Sequence, residues 1–398
     1  MFVTIRKFTK NELKNFLLNI GNTHEGADIL SKKGILYTFV IENIDTRAAN
    51  ILKQDAIASG GDCALPREAS SFTCKTCTAV LIGSLRTIEK LLERMKKQPF
   101  GLKKLADEIK RLIEADLNTR FELKANGKTL SLERPAIMGI LNTTPDSFSD
   151  GGKWTTVDRA LKHAEEMVND GAAIIDVGGE STRPGAKPVP LEEEMKRVVP
   201  VIEAIRKNFS NVFISVDTYK SKVAEEALNA GADIVNDISG FHFDSRMAKL
   251  VAERNVPAVL MHIKGTPRDM QKNPYYEDVI KELCLYFEET IKEAEQKGVK
   301  KEQIIIDPGI GFGKRLEDNL SILKRINEFK RFGVPILLGT SRKSFIKMVT
   351  GEENPEERVA GSLASIVRGI LNGVKIVRVH DVKETKQFLD ILLAIEEA

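Results

Sequence analysis

Cysteine is scarce. Four residues in 398 cannot supply the disulfide framework of a small secreted scaffold, and they point to a reducing cytoplasm. Histidine is scarce too: five residues without an HExxH pair disfavour the commonest zinc-hydrolase pattern. No apolar run approaches the roughly 18 residues of a membrane span. The longest near the start, 34–41 (GILYTFVI), reads as a strand, and 1–10 lacks the apolar core of a signal peptide. An excess of one charge is also missing. With 60 basic and 57 acidic residues, a net of +3, no global field draws the chain to nucleic acid or to an acidic membrane. What is present is 42% hydrophobic and 29% charged residues, ample for a packed core and contrary to disorder. The length exceeds the roughly 250 residues that one barrel or doubly wound sheet requires.

From about residue 136 onward, strand-like and helix-like segments alternate. The strand candidates are 136–141, 173–178, 212–217, 233–237, 256–261, 303–307, 334–339 and 375–379. Their near-continuous Val/Ile/Leu content suits a parallel sheet buried on both faces. Eight such units predict a closed (β/α)8 barrel. A doubly wound sheet would carry a glycine-rich fingerprint after its first strand, where this chain has NTTPDSFSDGG. Just upstream, 121–133 holds Asn126-Gly127 between two alternating runs, the signature of a β-hairpin, expected to close the barrel's lower mouth. The division expected is therefore 1–118, a smaller α/β domain, and 119–398, the barrel with its leading hairpin. In the first domain, strands are expected near 34–44 and 77–83, with helices near 46–58, 84–97 and 102–116. It carries 19 basic and 14 acidic residues, a net of +5, leaving −2 for the remainder. The basic excess reads as solvated helix faces, since no aromatic residues are interleaved to stack bases.

Chemistry in this fold belongs at the carboxyl ends of the strands. Those ends read Asn142, Asp176 followed by GGESTRPG, Asp217, Asn236-Asp237, Met261-His262, Asp307, Ser341-Arg342-Lys343, and Arg378 with His380. Helix caps could account for one or two of these clusters, but not for eight on one rim. Arg183, Lys343, Arg378 and His380 suit phosphate oxygens. Asp217, Asn236 and Asp307 suit a flat heterocycle rich in N–H groups, with Met261 and Phe312 as apolar walls. The loops at 142–153 and 178–188 read as movable lids. Together these features imply a heterocyclic substrate carrying a pyrophosphate. The glycines of 307–314 (DPGIGFGK) do not make a P-loop, because Pro308 stands where its first glycine would be. Cys74 and Cys77 adjoin a strand, with Cys63 nearby and no fourth ligand evident, so they read as structural.

These motifs resemble the dihydropteroate synthase family. The resemblance rests on 137–152 (IMGILNTTPDSFSDGG), 171–185 (GAAIIDVGGESTRPG), 214–218 (ISVDT), 234–237 (IVND), 261–271 (MHIKGTPRDMQ), 306–314 (IDPGIGFGK), 339–345 (GTSRKSF) and 378–382 (RVHDV). They stand in family order and spacing across 121–398, and residues 1–118 lie outside the family core. The resemblance implies condensation of 6-hydroxymethyl-7,8-dihydropterin diphosphate with p-aminobenzoate, giving 7,8-dihydropteroate and pyrophosphate. It also implies dependence on Mg2+ and a homodimer, with small molecules rather than nucleic acid or membrane as partners. Carried over by motif, Asp217, Asn236, Asp307 and Lys343 would hold the pterin, while Met261, Phe312 and Arg378 pack around it. Asn142 would bind the metal and, with Arg378 and His380, the diphosphate. Phe148, Thr182, Arg183, Pro184 and Ser344 would form the aminobenzoate pocket. Asp217, Lys343, Arg378 and His380 would carry catalysis, through a substitution led by departure of pyrophosphate.

Three alternatives stay open at this point. One is a synthase for a modified arylamine. Another is a pterin-dependent methyltransferase with a corrinoid partner, which would not be expected to keep NTTPDSFSDGG, GGESTRPG, SRKSF and RVHD together. The third concerns residues 1–118 alone, as a regulatory or partner-binding module.

Overall fold

The structure, a computed structural model, describes residues 3–4, 6–143, 156–181 and 185–397. It divides into two compact units, Met1–Glu114 and Ala115–Ala398.

In the first unit, helices α1 (Lys10–Asn19) and α2 (His24–Lys33) precede strand β1 (Leu36–Asp45), α3 (Thr46–Ser59), β2 (Asp62–Ala64), the short α4 (Arg67–Ser70), β3 (Thr76–Ser84), α5 (Leu85–Met95) and α6 (Leu102–Leu117), whose last residues, from Ala115 and including Asp116, belong to the second unit. The strands form an antiparallel sheet in the order β1-β3-β2. Leu52, Leu81, Ile88, Leu91, Met95 and Ile109 are among the residues of its core. Alternation in β1 and β3 marks these strands, and the apolar stripe of α5 marks that helix. Helices α1 and α2 were not expected, for a physical reason: α1 buries no residue, and α2 buries only Ala27 and Ser31. At three residues, β2 is too short to show a period. Burial pushes the Cys63 thiol up to about 11 and also raises that of Cys77.

The second unit opens with the expected hairpin, β4 (Glu122–Ala125) and β5 (Lys128–Ser131). Asn126 and Gly127 take φ of 50° and 73°, which a two-residue type I′ turn demands. Asn126 donates to Ala232 O, and Lys128 donates to Val212 O. Both carbonyls lie just ahead of barrel strands, so the hairpin sits at the amino-terminal end of the barrel.

Eight parallel strands follow: β6 (Ala136–Asn142), β7 (Ile174–Gly178), β8 (Phe213–Asp217), β9 (Ile234–Asp237), β10 (Ala258–Met261), β11 (Ile304–Asp307), β12 (Leu337–Leu338) and β13 (Ile376–Val379). Neighbours in sequence pair in parallel from β6 through β11, and β13 pairs with both β12 and β6. A parallel bridge between Ile306 and Ile336 closes the ring. The unit is a (β/α)8 barrel, as its sequence period requires. Its strands are buried nearly throughout, which explains their continuous apolar runs. The outer helices are α7 (Thr156–Asn169), α8 (Leu191–Asn208), α9 (Ser221–Asn229), α10 (Met247–Arg254), α11 (Val279–Gln296), α12 (Leu316–Lys324), α13 (Ser344–Thr350), α14 (Val359–Ile370) and α15 (Val382–Glu396). Of these, α8 carries Glu192, Glu193 and Glu194 in its first turn and Arg206 and Lys207 in its last, matching its dipole at both ends. No helix among the described residues is long and apolar enough to cross a membrane.

Candidate active site

Strand pairing brings the predicted polar ends to one rim. Asn142 lies beside Gly178, Gly178 beside Asp217, and Asp217 beside Asn236, with Met261 beside Asp307. At the centre, Arg378 of β13 donates through Nε to Asp176 Oδ2 at 2.6 Å and through Nη2 to Asp217 Oδ2 at 2.7 Å. Asn236 Nδ2 donates to the same Asp176 oxygen at 3.1 Å. Asp176 therefore orients both a cation and an amide, while its Oδ1 is buried without a hydrogen-bond partner. An acid in the middle of the apolar run AIIDVG has to be paired when buried, and that signal could have given Asp176 a role.

A second cluster adjoins the first. Lys343 Nζ donates to Ile310 O at 2.5 Å and stands 4.8 Å from the centre of the Phe312 ring. A Cβ placed on Gly339 would lie 3.8 Å from Lys343 Nζ, 4.0 Å from Asp307 Oδ2 and 3.8 Å from Arg378 Cβ. Gly339 thus leaves room where these three groups converge. Lys343 reaches inward because Arg342, at φ 59°, turns the chain and aims its own side chain at Asp381. A non-glycine residue in that region is strained, and the Asp381 ion pair opposes the strain.

Burial sets the electrostatics of the rim. It pushes the Asp217 carboxyl above the usual range, with the Arg378 charge opposing it. Burial likewise raises Asp307 against the pull of Lys343, and lowers Lys343 to about 8 against the pull of Asp307. These are groups whose ionised forms lack full solvation before a ligand arrives.

The glycines of DPGIGFGK have a packing reason. A Cβ on Gly309 would meet His262 O at 2.1 Å, and one on Gly313 would meet Lys264 O at 2.4 Å, both at positive φ. Their loop is pressed onto the backbone that follows β10. Lys314, buried, donates to Phe312 O at 3.0 Å and lies 3.0 Å from His262 Nδ1. Burial lowers it to about 7. Sequence reasoning gave Lys314 and Ser341 no role. Ser341 Oγ meets His380 Nδ1 at 3.0 Å and accepts from His380 N at 3.1 Å.

The structure thus gathers Asn142, Asp217, Asn236, Met261, Asp307, Phe312, Lys343 and Arg378, with His380 bonded to Ser341 at the end of the adjoining strand. Ser344 opens α13 (Ser344–Thr350) and lines a cavity of about 440 Å³ with Gln271, Tyr275, Arg315, Phe345 and Met348. Phe148, Thr182, Arg183 and Pro184 lie outside the described residues.

A pterin-binding enzyme family model matches residues 138–380. The dihydropteroate synthase of Escherichia coli (strain K12) is 49% identical over 273 residues, which are 69% of this chain and 96% of that protein. A structure of Xanthomonas albilineans dihydropteroate synthase with 4-aminobenzoic acid superposes with a TM-score of 0.67 at 43% identity, covering 70% of this chain and 100% of the other. A probable bifunctional folylpolyglutamate synthase/dihydropteroate synthase of Haloferax volcanii is 39% identical over 361 residues, 88% of this chain and 42% of that protein. That last alignment is long enough to reach into the first unit.

Proposed function

The chain belongs to the dihydropteroate synthase family, and we propose that the rim described above condenses a dihydropterin diphosphate with p-aminobenzoate by a substitution led by departure of pyrophosphate. The convergence of Asp217, Asn236, Asp307 and Lys343 carries this reading: two carboxylates, an amide and an ammonium match the donors and acceptors along the edge of a pterin.

Asp307 and Asn236 bind and orient the ring, Lys343 donates to its acceptors, and Met261 and Phe312 cover its faces. When the carbon–oxygen bond between the pterin methylene and the diphosphate breaks, positive charge spreads into the ring. Ionised Asp217 stabilises that charge, and Arg378 and His380 hold the departing oxygens. The arylamine nitrogen then bonds to the methylene carbon and its surplus proton passes to solvent or pyrophosphate, so no side chain has to act as general base. Ser344, with Phe148, Thr182, Arg183 and Pro184, is assigned to the arylamine.

The donor set fits Mg2+. Asn142 offers a hard amide oxygen, and the absent side chain of Gly178 keeps the adjoining space open: a Cβ there would lie 3.9 Å from Asn142 Oδ1 and 3.7 Å from Asp217 Oδ2. Among the described residues no group of three or more His, Cys, Asp and Glu side chains could hold a metal. An ion at Asn142 would therefore take most of its ligands from phosphate oxygens and water, as Mg2+ commonly does. Bound there, it would neutralise charge on the leaving diphosphate.

We also propose a cytoplasmic homodimer. The free cysteines support the compartment. Exposed Leu371, just past the penultimate helix, and Ile391 and Ile395 on the last helix supply apolar surface of the kind a subunit contact buries, and sedimentation would give the mass. The deciding assay is pyrophosphate release from the pterin diphosphate, with and without p-aminobenzoate and Mg2+. Release that needs both is expected. Turnover with a ribosylated arylamine and none with p-aminobenzoate would overturn the substrate assignment.

A further inference from the structure

Met261 and Phe312, the two apolar walls assigned to the pterin, stand on different segments: Met261 ends β10, and Phe312 lies in the loop after β11. Lys314 bridges the two. Its Nζ donates to Phe312 O at 3.0 Å and to His262 O, next to Met261, at 3.3 Å, and it lies 3.0 Å from His262 Nδ1. An ammonium has three protons, and here it finds three partners, all of them uncharged. A neutral amine would still donate to both carbonyls, with only the exchange at Nδ1 reversing direction. The approach depends on a glycine, since a Cβ on Gly309 would lie 3.3 Å from Lys314 Nζ. On the loop's other side, Lys343 donates to Ile310 O and stands over the Phe312 ring. The loop is held between two lysines.

We propose that Lys314 is a positioning residue for the pterin: it ties Phe312 to the strand end that carries Met261, and so sets the spacing of the two walls. The proposal rests on the assignment of Met261 and Phe312 to the faces of that ring.

Loop anchoring alone does not account for the lysine. Other bonds already join the segments after β10 and β11. Gln271 Nε2 donates to Gly311 O at 2.7 Å, and the Tyr276 hydroxyl donates to Gly313 O at 2.8 Å. At the strand ends, His262 N donates to Asp307 O at 3.0 Å. None of these three touches Phe312. Lys314 is only 3% exposed, and no carboxylate among the described residues bonds to it. Burying an amine in that way costs stability, and for stability alone an apolar side chain of similar volume would serve at least as well. What the lysine fixes is the place of the Phe312 ring, and with it the surroundings of Lys343, whose ammonium is itself assigned to the pterin. Misplacement by about 1 Å in such a site can cost up to about 100-fold.

The test compares full-length Lys314→Met, His262→Phe, Tyr276→Phe and Phe312→Ala with the parent enzyme. It reads Kd for the pterin diphosphate by calorimetry, KM for p-aminobenzoate at saturating pterin diphosphate, and Tm. Lys314→Met should raise the pterin Kd about tenfold or more, with the p-aminobenzoate KM within about twofold. His262→Phe keeps a ring against Tyr286 but puts a C–H where Nδ1 meets the amine, so its Kd should rise less, by about three- to fivefold. Tyr276→Phe removes a bond that does not reach Phe312, and should lower Tm while leaving Kd within about twofold. A pterin Kd unmoved in folded Lys314→Met, or a rise of both constants together, overturns the positioning role. If Phe312→Ala weakens pterin binding in that case, the wall assignment stands without Lys314. If Phe312→Ala leaves Kd unchanged, the wall assignment fails and takes the proposal with it. Should Lys314→Met not fold, His262→Phe decides by the same criteria, since it keeps both carbonyl acceptors.

Discussion

The barrel buries an aspartate near an arginine at each of its two ends, and the two are treated in opposite ways. At the amino-terminal end, Asp233 accepts from Asn126 Nδ2 at 2.9 Å, Lys128 Nζ at 2.6 Å, Arg206 Nη2 at 2.5 Å and Ile214 N at 2.9 Å. Two cations and two neutral donors saturate one carboxylate. At the carboxyl end, Arg378 is shared between Asp176 and Asp217, one oxygen of Asp176 has no hydrogen-bond partner, and burial holds Asp217 above the usual range. A satisfied buried charge is spent on stability, and an under-satisfied one waits for a ligand. The difference supports placing the proposed chemistry at the carboxyl end, independently of any relative.

Removing each aspartate should separate the two roles. Asp233→Ala leaves Lys128 and Arg206 facing each other without their counter-charge, and should cost about 3–5 kcal/mol of unfolding free energy, measured by urea denaturation. The folded fraction should keep its kcat at low temperature. A large loss of kcat with unchanged stability would break the comparison. Asp217→Asn should do the reverse, keeping the stability and lowering kcat by about 10²–10³-fold in pyrophosphate-release assays, because the ring cation loses its nearest negative charge.

Lys343 sharpens the contrast further. Lys343→Ala should weaken pterin diphosphate binding severely, by about 100-fold, with the fold intact. In the parent enzyme Lys343 is charged below pH 8 and neutral above, since burial lowers it to about 8. Affinity should therefore be highest on the acid side of 8 and fall by up to about tenfold per pH unit above it. Lys343→Arg should flatten that limb between pH 7 and 9 even if its affinity is lower, because a guanidinium stays charged. Calorimetric Kd values across that range check both. An unchanged limb in the arginine variant would assign the titration to another group.

Most of the working end was legible in the sequence because the barrel dictates where each strand's last residue points. Asp217, Asn236 and Asp307 needed only the strand ends to be recognised. Asp176 was read as a strand end but given no role for a different reason: its pairing with Arg378 spans 202 positions of chain, and periodicity says nothing about such partners. The glycines of DPGIGFGK were visible as glycines, but their cause, the carbonyls of His262 and Lys264, exists only once β10 and β11 lie side by side. In the first unit, α1 and α2 escaped notice because they bury almost nothing, so they leave little apolar pattern to read.

The smallest expected effect concerns that first unit. Every residue assigned to substrate lies between Asn142 and His380, within the second unit, and the barrel closes on itself through β13 and β6. A fragment of residues 119–398 keeps the hairpin that caps the amino-terminal end, and loses the ion pair of Asp116 with Lys330 at 2.5 Å, a partly exposed pair contributing at most about 1 kcal/mol. Its kcat and both KM values should lie within about twofold of the full chain, with a slightly lower Tm. If the fragment is folded by circular dichroism yet inactive, the division of labour drawn here fails, and the first unit takes part in the reaction. If it is fully active, residues 1–118 act on something other than turnover, which the unchanged KM values would demonstrate directly.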